Sequence, residues 1–249
     1  MIESIGNWVD ATKINTSYNL FFDIINPIPN SIYVQVEPEA ILSRQDFLIK
    51  NWKMFDYIIS FNQEVLKKCP NSKKYIFGTS WITPEEYTSI IPEKKEFKIS
   101  TIVGNKALTI GHRLRKQLLD QNFLNVNYYV SNSGVHPEKE LVGSSKFKTF
   151  EKYQYQIVIE NSQQNNYFTE KLLDCLITKT IPIYWGCPNI DEYFDTSEWI
   201  FFTDIEDLKT KLPLNSQYFE CKTIEKNFLK AIEYSNFETN VNCSLMEIT

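Results

Sequence analysis

Between Phe97 and Leu212 the chain alternates two kinds of segment, and that alternation leaves it few folds. Short apolar runs, "FKISTIVGN", "NVNYYVSN", "YQYQIVIEN", "TIPIYWG" and "WIFFTD", predict strands. Interspersed with them, "TIGHRLRKQLLDQ", "TEKLLDCLITK" and "TDIEDLKTKL" carry apolar residues at helical spacing. Thr109 is the expected N-cap of the first of these helices, and Thr203 or Asp204 that of the third. Apolar strands alternating with helices predict a parallel sheet covered by helices on both faces.

The half before Phe97 is less regular. "YNLFFDII", "SIYVQVEP" and "FDYIISFN" predict strands, while "LSRQDFLIKNW" and "FNQEVLKKCP" predict partly helical segments. The stretch "SIIPEKKEFK", with its proline and lysines, is the expected link between two α/β domains. The division expected is 1–95 and 96–249, the second ending in the amphipathic helix "TIEKNFLKAIEYSNF". A chain of 249 residues, 43% hydrophobic, has apolar material for two cores.

Several classes of function are disfavoured. A net charge of −5 argues against a non-specific nucleic-acid binder, which shows a basic face. No G-x-G-x-x-G or P-loop is present, and there are only seven glycines, so a nicotinamide or ATP site built on glycine fingerprints is not expected. The five cysteines, Cys69, Cys175, Cys187, Cys221 and Cys243, form no C-x-x-C pair and suggest free thiols in a reducing compartment. The N-terminal stretch lacks a basic start followed by an apolar run, and no segment reaches the length of a membrane span. The expectation is a soluble, cytoplasmic protein. Two isolated histidines, His112 and His136, do not indicate a metal site, and no Asp-x-Asp occurs. Neutralisation of an anionic ligand would then fall to side chains and helix ends.

Three places carry candidate chemistry. Lys171 stands in the first turn of a predicted helix, where a cation opposes the helix dipole. An anion bound to the backbone amides of that helix end would turn the lysine into a partner. Tyr167 would donate its phenol to the same anion, and Glu170 would accept from sugar hydroxyls. The competing reading is an ordinary helix start with a solvated Glu-Lys pair. Arg113 and Arg115, two of the three arginines, open another helix and offer forks suited to phosphate. Residues two apart on a helix point to different sides, so one of the pair is expected to face a ligand. "VQVEPEAI" places carboxylates at a strand end, where one could take a proton from a hydroxyl. Glu37 is the first candidate and Glu39 the near alternative.

The segment "YQIVIENSQQNNYFTEKLLDCLITKTIPIYWGCPNIDEYF" closely resembles the signature of the family 10 glycosyltransferases, the α-1,3/α-1,4-fucosyltransferases. Similarity extends more weakly through "FKISTIVGNKALTIGHRLR", "YVQVEPEAI" and "FDYIISFN". The resemblance implies a GT-B type fold, two Rossmann-like domains facing a cleft, here with a short N-terminal domain. It implies an inverting glycosyltransferase that moves fucose from GDP-fucose to a glycan hydroxyl; with no Asp-x-Asp and no histidine cluster, no metal or other cofactor is expected. Transfer from another GDP-sugar, or non-catalytic binding of a glycan or nucleotide on the same fold, are the alternatives. The donor-binding residues it implies are Glu160, Asn161, Tyr167, Glu170 and Lys171, with Arg113 or Arg115. The general base it implies is Glu37.

Overall fold

The computed structural model describes residues 2–3, 9–89, 95–131, 146–212 and 222–248. His136, Cys221 and the middle of the expected link, 90–94, lie outside the described residues.

The described residues form two five-stranded parallel sheets. The first runs in chain order: β1 (Ile2–Glu3), β2 (Asn19–Phe22), β3 (Ser31–Val34), β4 (Tyr57–Ser60) and β5 (Ser72–Lys74). Helices α1 (Gln45–Asn51) and α2 (Gln63–Lys68) pack on one face, where Leu48, Val65 and Cys69 join Tyr33 and Ile58. Five strands are thus present in the N-terminal half, short though each of them is.

The second sheet contains β6 (Glu96–Gly104), β7 (Val126–Ser131), β8 (Tyr153–Ile159), β9 (Ile181–Trp185) and β10 (Ile200–Phe201). Its order is β10-β9-β8-β6-β7. The direction of winding reverses between β6 and β8, and parallel sheets of this kind bind ligands at such a point, beyond the carboxyl ends of the strands. Every residue of β8 and β9 is buried, as expected of strands covered on both faces. Helix α4 (Ile110–Gln121), with α6 (Ile205–Lys211), fills one face through Leu114, Leu118 and Leu208. Helices α5 (Glu170–Ile177) and α7 (Ile224–Tyr234) cover the other. Burying each leucine or isoleucine is worth about 1.5–3 kcal/mol. Leu172, Leu173, Leu176 and Ile177 therefore hold α5 firmly against the sheet. The caps agree with the sequence at Thr109, whose hydroxyl accepts from His112 N, and at Asp204, which accepts from Asp207 N.

In the chain, α3 (Pro84–Ser89) comes between the two sheets, and its Tyr87 packs edge-on against Phe228 of α7. The last helix, α8 (Phe237–Met246), returns to the first sheet, where Phe237, Val241 and Leu245 close its second face. No helix among the described residues is long and apolar enough to cross a membrane.

Candidate active site

A cavity of about 820 Å³ opens where the carboxyl ends of the two sheets face each other. Gly104 at the end of β6 with Asn105 and Lys106 after it, and Ile159 at the end of β8 with Asn161 beyond it, line it from the winding reversal. Val36 and Glu37, beyond β3, line it from the first sheet.

The wall on the second sheet is built around Thr169, the N-cap of α5. Its hydroxyl receives the Lys171 amide at 3.4 Å and donates to Glu160 Oε2 at 2.8 Å, while its own N–H donates to Glu160 Oε1 at 2.9 Å. Glu160 is fully buried, so burial pushes its carboxyl up, with Lys171 opposing. Lys171 Nζ lies 3.0 Å from Thr169 Oγ1, 3.0 Å from Glu170 Oε1 and 3.7 Å from Glu160 Oε2. Burial works against the Glu170 charge, but Lys171 and Lys146 outweigh it and hold its carboxyl down at about 2. This is a permanently ionised carboxylate, suited to accepting hydrogen bonds.

Arg115 reaches the same wall from α4. It donates to the Ile159 carbonyl and, at 2.9 Å, to Asn161 Oδ1. Asn161 Nδ2 in turn donates to Tyr167 OH at 3.4 Å. Burial, followed by the charges of Glu160 and Glu170, keeps the Tyr167 phenol protonated and therefore able to donate. Gly111 makes the approach of α4 possible, because a Cβ there would lie 1.8 Å from the Glu160 carbonyl oxygen. Its N–H donates to Asn161 O at 3.1 Å.

The opposite wall presents Glu37. Its amide donates to Asp23 Oδ2 at 2.7 Å and its carbonyl receives Gln35 Nε2 at 3.2 Å, so the backbone is fixed on both sides. Burial raises the Glu37 carboxyl, Asp23 raises it further, and Lys106 and Lys171 oppose them. Glu39 turns elsewhere: its carboxylate receives Arg44 N at 3.1 Å, at the start of α1, and Asn62 Nδ2 at 3.4 Å. Of the two candidate bases, Glu37 alone lines this cavity.

The structure thus gathers Glu37, Arg115, Asn161, Tyr167, Glu170 and Lys171 around one space. Arg113 lies exposed, outside the cavity lining. Glu160 sits behind the wall, bound to Thr169, rather than on it.

Four further lining residues, Lys106, Lys146, His112 and Trp81, had no sequence argument. Lys146 ion-pairs with the buried Asp174 at 2.7 Å, and Asp174 also receives Ser80 Oγ at 2.7 Å and Trp81 N at 3.0 Å. His112 closes a capping box on Thr109, whose amide donates to Nδ1, so the protonated nitrogen of the neutral ring is Nε2. Burial and then Arg115 bring its pKa down to about 4, keeping it neutral near pH 7. A histidine in the third position of a helix that follows a threonine cap was the one available signal.

Two Rossmann-like domains with a polar, cation-rich cleft between their carboxyl ends define a GT-B type architecture. A solved α1,3-fucosyltransferase shares this fold, with a TM-score of 0.53 at 15% identity over 94% of this chain and 78% of that one. A second, an α1,3-fucosyltransferase with GDP, aligns with a TM-score of 0.50 at 16% identity, over 89% of this chain and 77% of that one. In sequence, the family model for glycosyltransferase family 10 (fucosyltransferase), C-terminal part, matches residues 92–237, more than half of the chain. The chain belongs to that family. Over 65 residues it is 34% identical to the α-(1,3)-fucosyltransferase FucT of Helicobacter pylori, and 28% identical to a putative fucosyltransferase-like protein of Arabidopsis thaliana. Each match spans 26% of this chain and 13% of the relative's length.

Proposed function

We propose that this chain transfers fucose from GDP-fucose to a glycan hydroxyl, with inversion at the anomeric carbon. The observation that carries the reading is the placement of Glu37 across one cavity from Arg115, Asn161, Tyr167 and Lys171. In the proposed arrangement the diphosphate lies against the start of α5, where backbone amides and Lys171 meet its charge. The acceptor hydroxyl attacks the anomeric carbon from the face opposite the diphosphate. As that C–O bond forms, the bond to the phosphate oxygen breaks and its electron pair leaves with GDP. The hydroxyl proton passes to Glu37, a carboxylate made more basic by its burial and by Asp23.

Charge on the departing GDP is taken up by side chains in this reading. Four cations, Lys106, Arg115, Lys146 and Lys171, line the cavity. Among the described residues no group of three or more His, Cys, Asp or Glu is placed to hold a metal ion. Preorganised donors of this kind stabilise a leaving group without reorganising during the reaction.

The test is incubation of the chain with GDP-fucose and a panel of oligosaccharides in EDTA, following GDP release and the anomeric signal of the product. Release of GDP with an α-linked fucosyl product is expected. Failure to release GDP with every acceptor would refute the transfer, and activity lost in EDTA but restored by manganese would refute the metal-free neutralisation.

A further inference from the structure

The segment that carries Glu37 hangs on a carboxylate outside the cavity lining. Asp23 follows β2 directly and has φ of 55°, in the left-handed region that non-glycine residues adopt at a cost. Its amide donates to Val34 O at 2.9 Å, which ties the end of β2 to the end of β3. Its Oδ1 accepts from Tyr33 OH at 2.9 Å and Val36 N at 3.0 Å, and its Oδ2 accepts from Glu37 N at 2.7 Å. All three groups donate to it, which suits an ionised carboxylate, an acceptor at both oxygens.

We propose that Asp23 is the positioning residue for the base: it grips the backbone of Val36 and Glu37 through both amides and so directs the Glu37 carboxylate into the cavity. The proposal rests on the role given to Glu37 in the proposed transfer. An asparagine could not replace it fully, because it offers one acceptor oxygen and would set an NH₂ against one of the donors.

The charge has a second consequence. The groups facing Glu37 are Asp23 beyond β2, Lys106 beyond β6, and Glu170 and Lys171 on α5. Asp23 and Glu170 raise the Glu37 carboxyl, while Lys106 and Lys171 lower it. Burial leads the rise in the carboxyl of Asp23 itself, and the Val36 and Glu37 amides oppose it. Removing the Asp23 charge should therefore make Glu37 a weaker base as well as a looser one.

The experiment follows the Glu37 carboxyl by carbon-13 NMR in the wild-type chain and in Asp23→Asn, with Glu37→Gln identifying the signal. Glu37 should titrate at lower pH in Asp23→Asn. Turnover should fall by up to about 10²-fold, the scale of a small misplacement of a reacting group. The acid limb of the pH-rate profile should move down with the carboxyl, and GDP affinity should stay unchanged. In the unmodified chain, the amide protons of Val36 and Glu37 should shift together as Asp23 titrates, which decides the matter if Asp23→Asn does not fold. An unmoved Glu37 titration in folded Asp23→Asn, normal turnover there, or amide protons indifferent to Asp23 would each overturn the proposal. A wild-type chain that shows the amide coupling but transfers no fucose would instead refute the donor reading.

Discussion

The two walls of the cleft each present a carboxylate, and the structure drives them in opposite directions. Glu170, on the second sheet's side, is half-buried, and Lys171 and Lys146 hold its carboxyl down at about 2. Glu37, across the cavity, is partly buried beside another carboxylate, Asp23, and its carboxyl is raised. In the proposed transfer, surroundings that separate two carboxyl pKa values in this way divide the labour: one stays charged to bind, the other is poised to take a proton. The supports differ too. Glu170 and Lys171 ride on a helix anchored by a run of buried leucines, whereas Glu37 rides on an irregular segment held by hydrogen bonds to Asp23 and Gln35. In the proposed transfer the diphosphate would lie against the helix-borne wall, and the acceptor would meet the wall formed by a loop.

Substitutions should separate the two roles. The largest effect belongs to Glu37→Gln, which keeps size and polarity but removes basicity. Its turnover should fall by about 10²–10⁴-fold, the range of general-base catalysis. Near-normal turnover in a kinetic assay would move the base elsewhere. On the other wall, Lys171→Ala removes a charged hydrogen bond worth about 1.5–3 kcal/mol. At about 1.4 kcal/mol per decade, calorimetry should find GDP bound roughly ten- to a hundredfold more weakly; unchanged affinity would take Lys171 out of the donor site.

Acidification probes the same contrast more gently. The base must be ionised, so kcat should decline as pH falls toward and through the Glu37 value, which lies above the ordinary 4.5. The KM for GDP-fucose should hold steady across that window, because Glu170 remains ionised until about 2. Parallel loss of both would merge the two walls into one titrating unit. The smallest effect is expected at Arg113, whose side chain is exposed and outside the cavity. Arg113→Ala should change GDP binding by no more than about 0.5 kcal/mol. Arg115→Ala, which releases Asn161, should weaken it clearly; the reverse order would exchange their roles.

Much of the candidate donor wall was legible in the sequence, because its parts follow one another along the chain. Strand β8, the loop 160–169 and helix α5 are contiguous, and the periodicity of α5 sets Lys171 in its first turn. Choosing between Arg113 and Arg115 needed tertiary contacts. The fit of Gly111 against the Glu160 carbonyl turns α4 so that Arg115 faces inward. Lys106, Lys146 and Trp81 lie outside regular helices and strands or in a single short turn, where no period distinguishes one lysine from another. In the first sheet, β1 and β5 are too short and polar to show alternation. Helix α8, "FETNVNCSLM", is rich in weak helix formers, and the sheet that stabilises it was laid down at the other end of the chain. The hold of Asp23 on Glu37 was hidden for a related reason: it depends on a left-handed turn and a carboxylate 14 positions away.

Titration of GDP into Glu37→Gln by calorimetry tests the division of labour most directly. If one wall binds and the other transfers the proton, the dissociation constant should stay within about twofold of wild type, roughly 0.4 kcal/mol, even though turnover is lost. A tenfold or greater weakening of GDP binding in that variant would contradict the account, because Glu37 would then belong to the donor-binding wall.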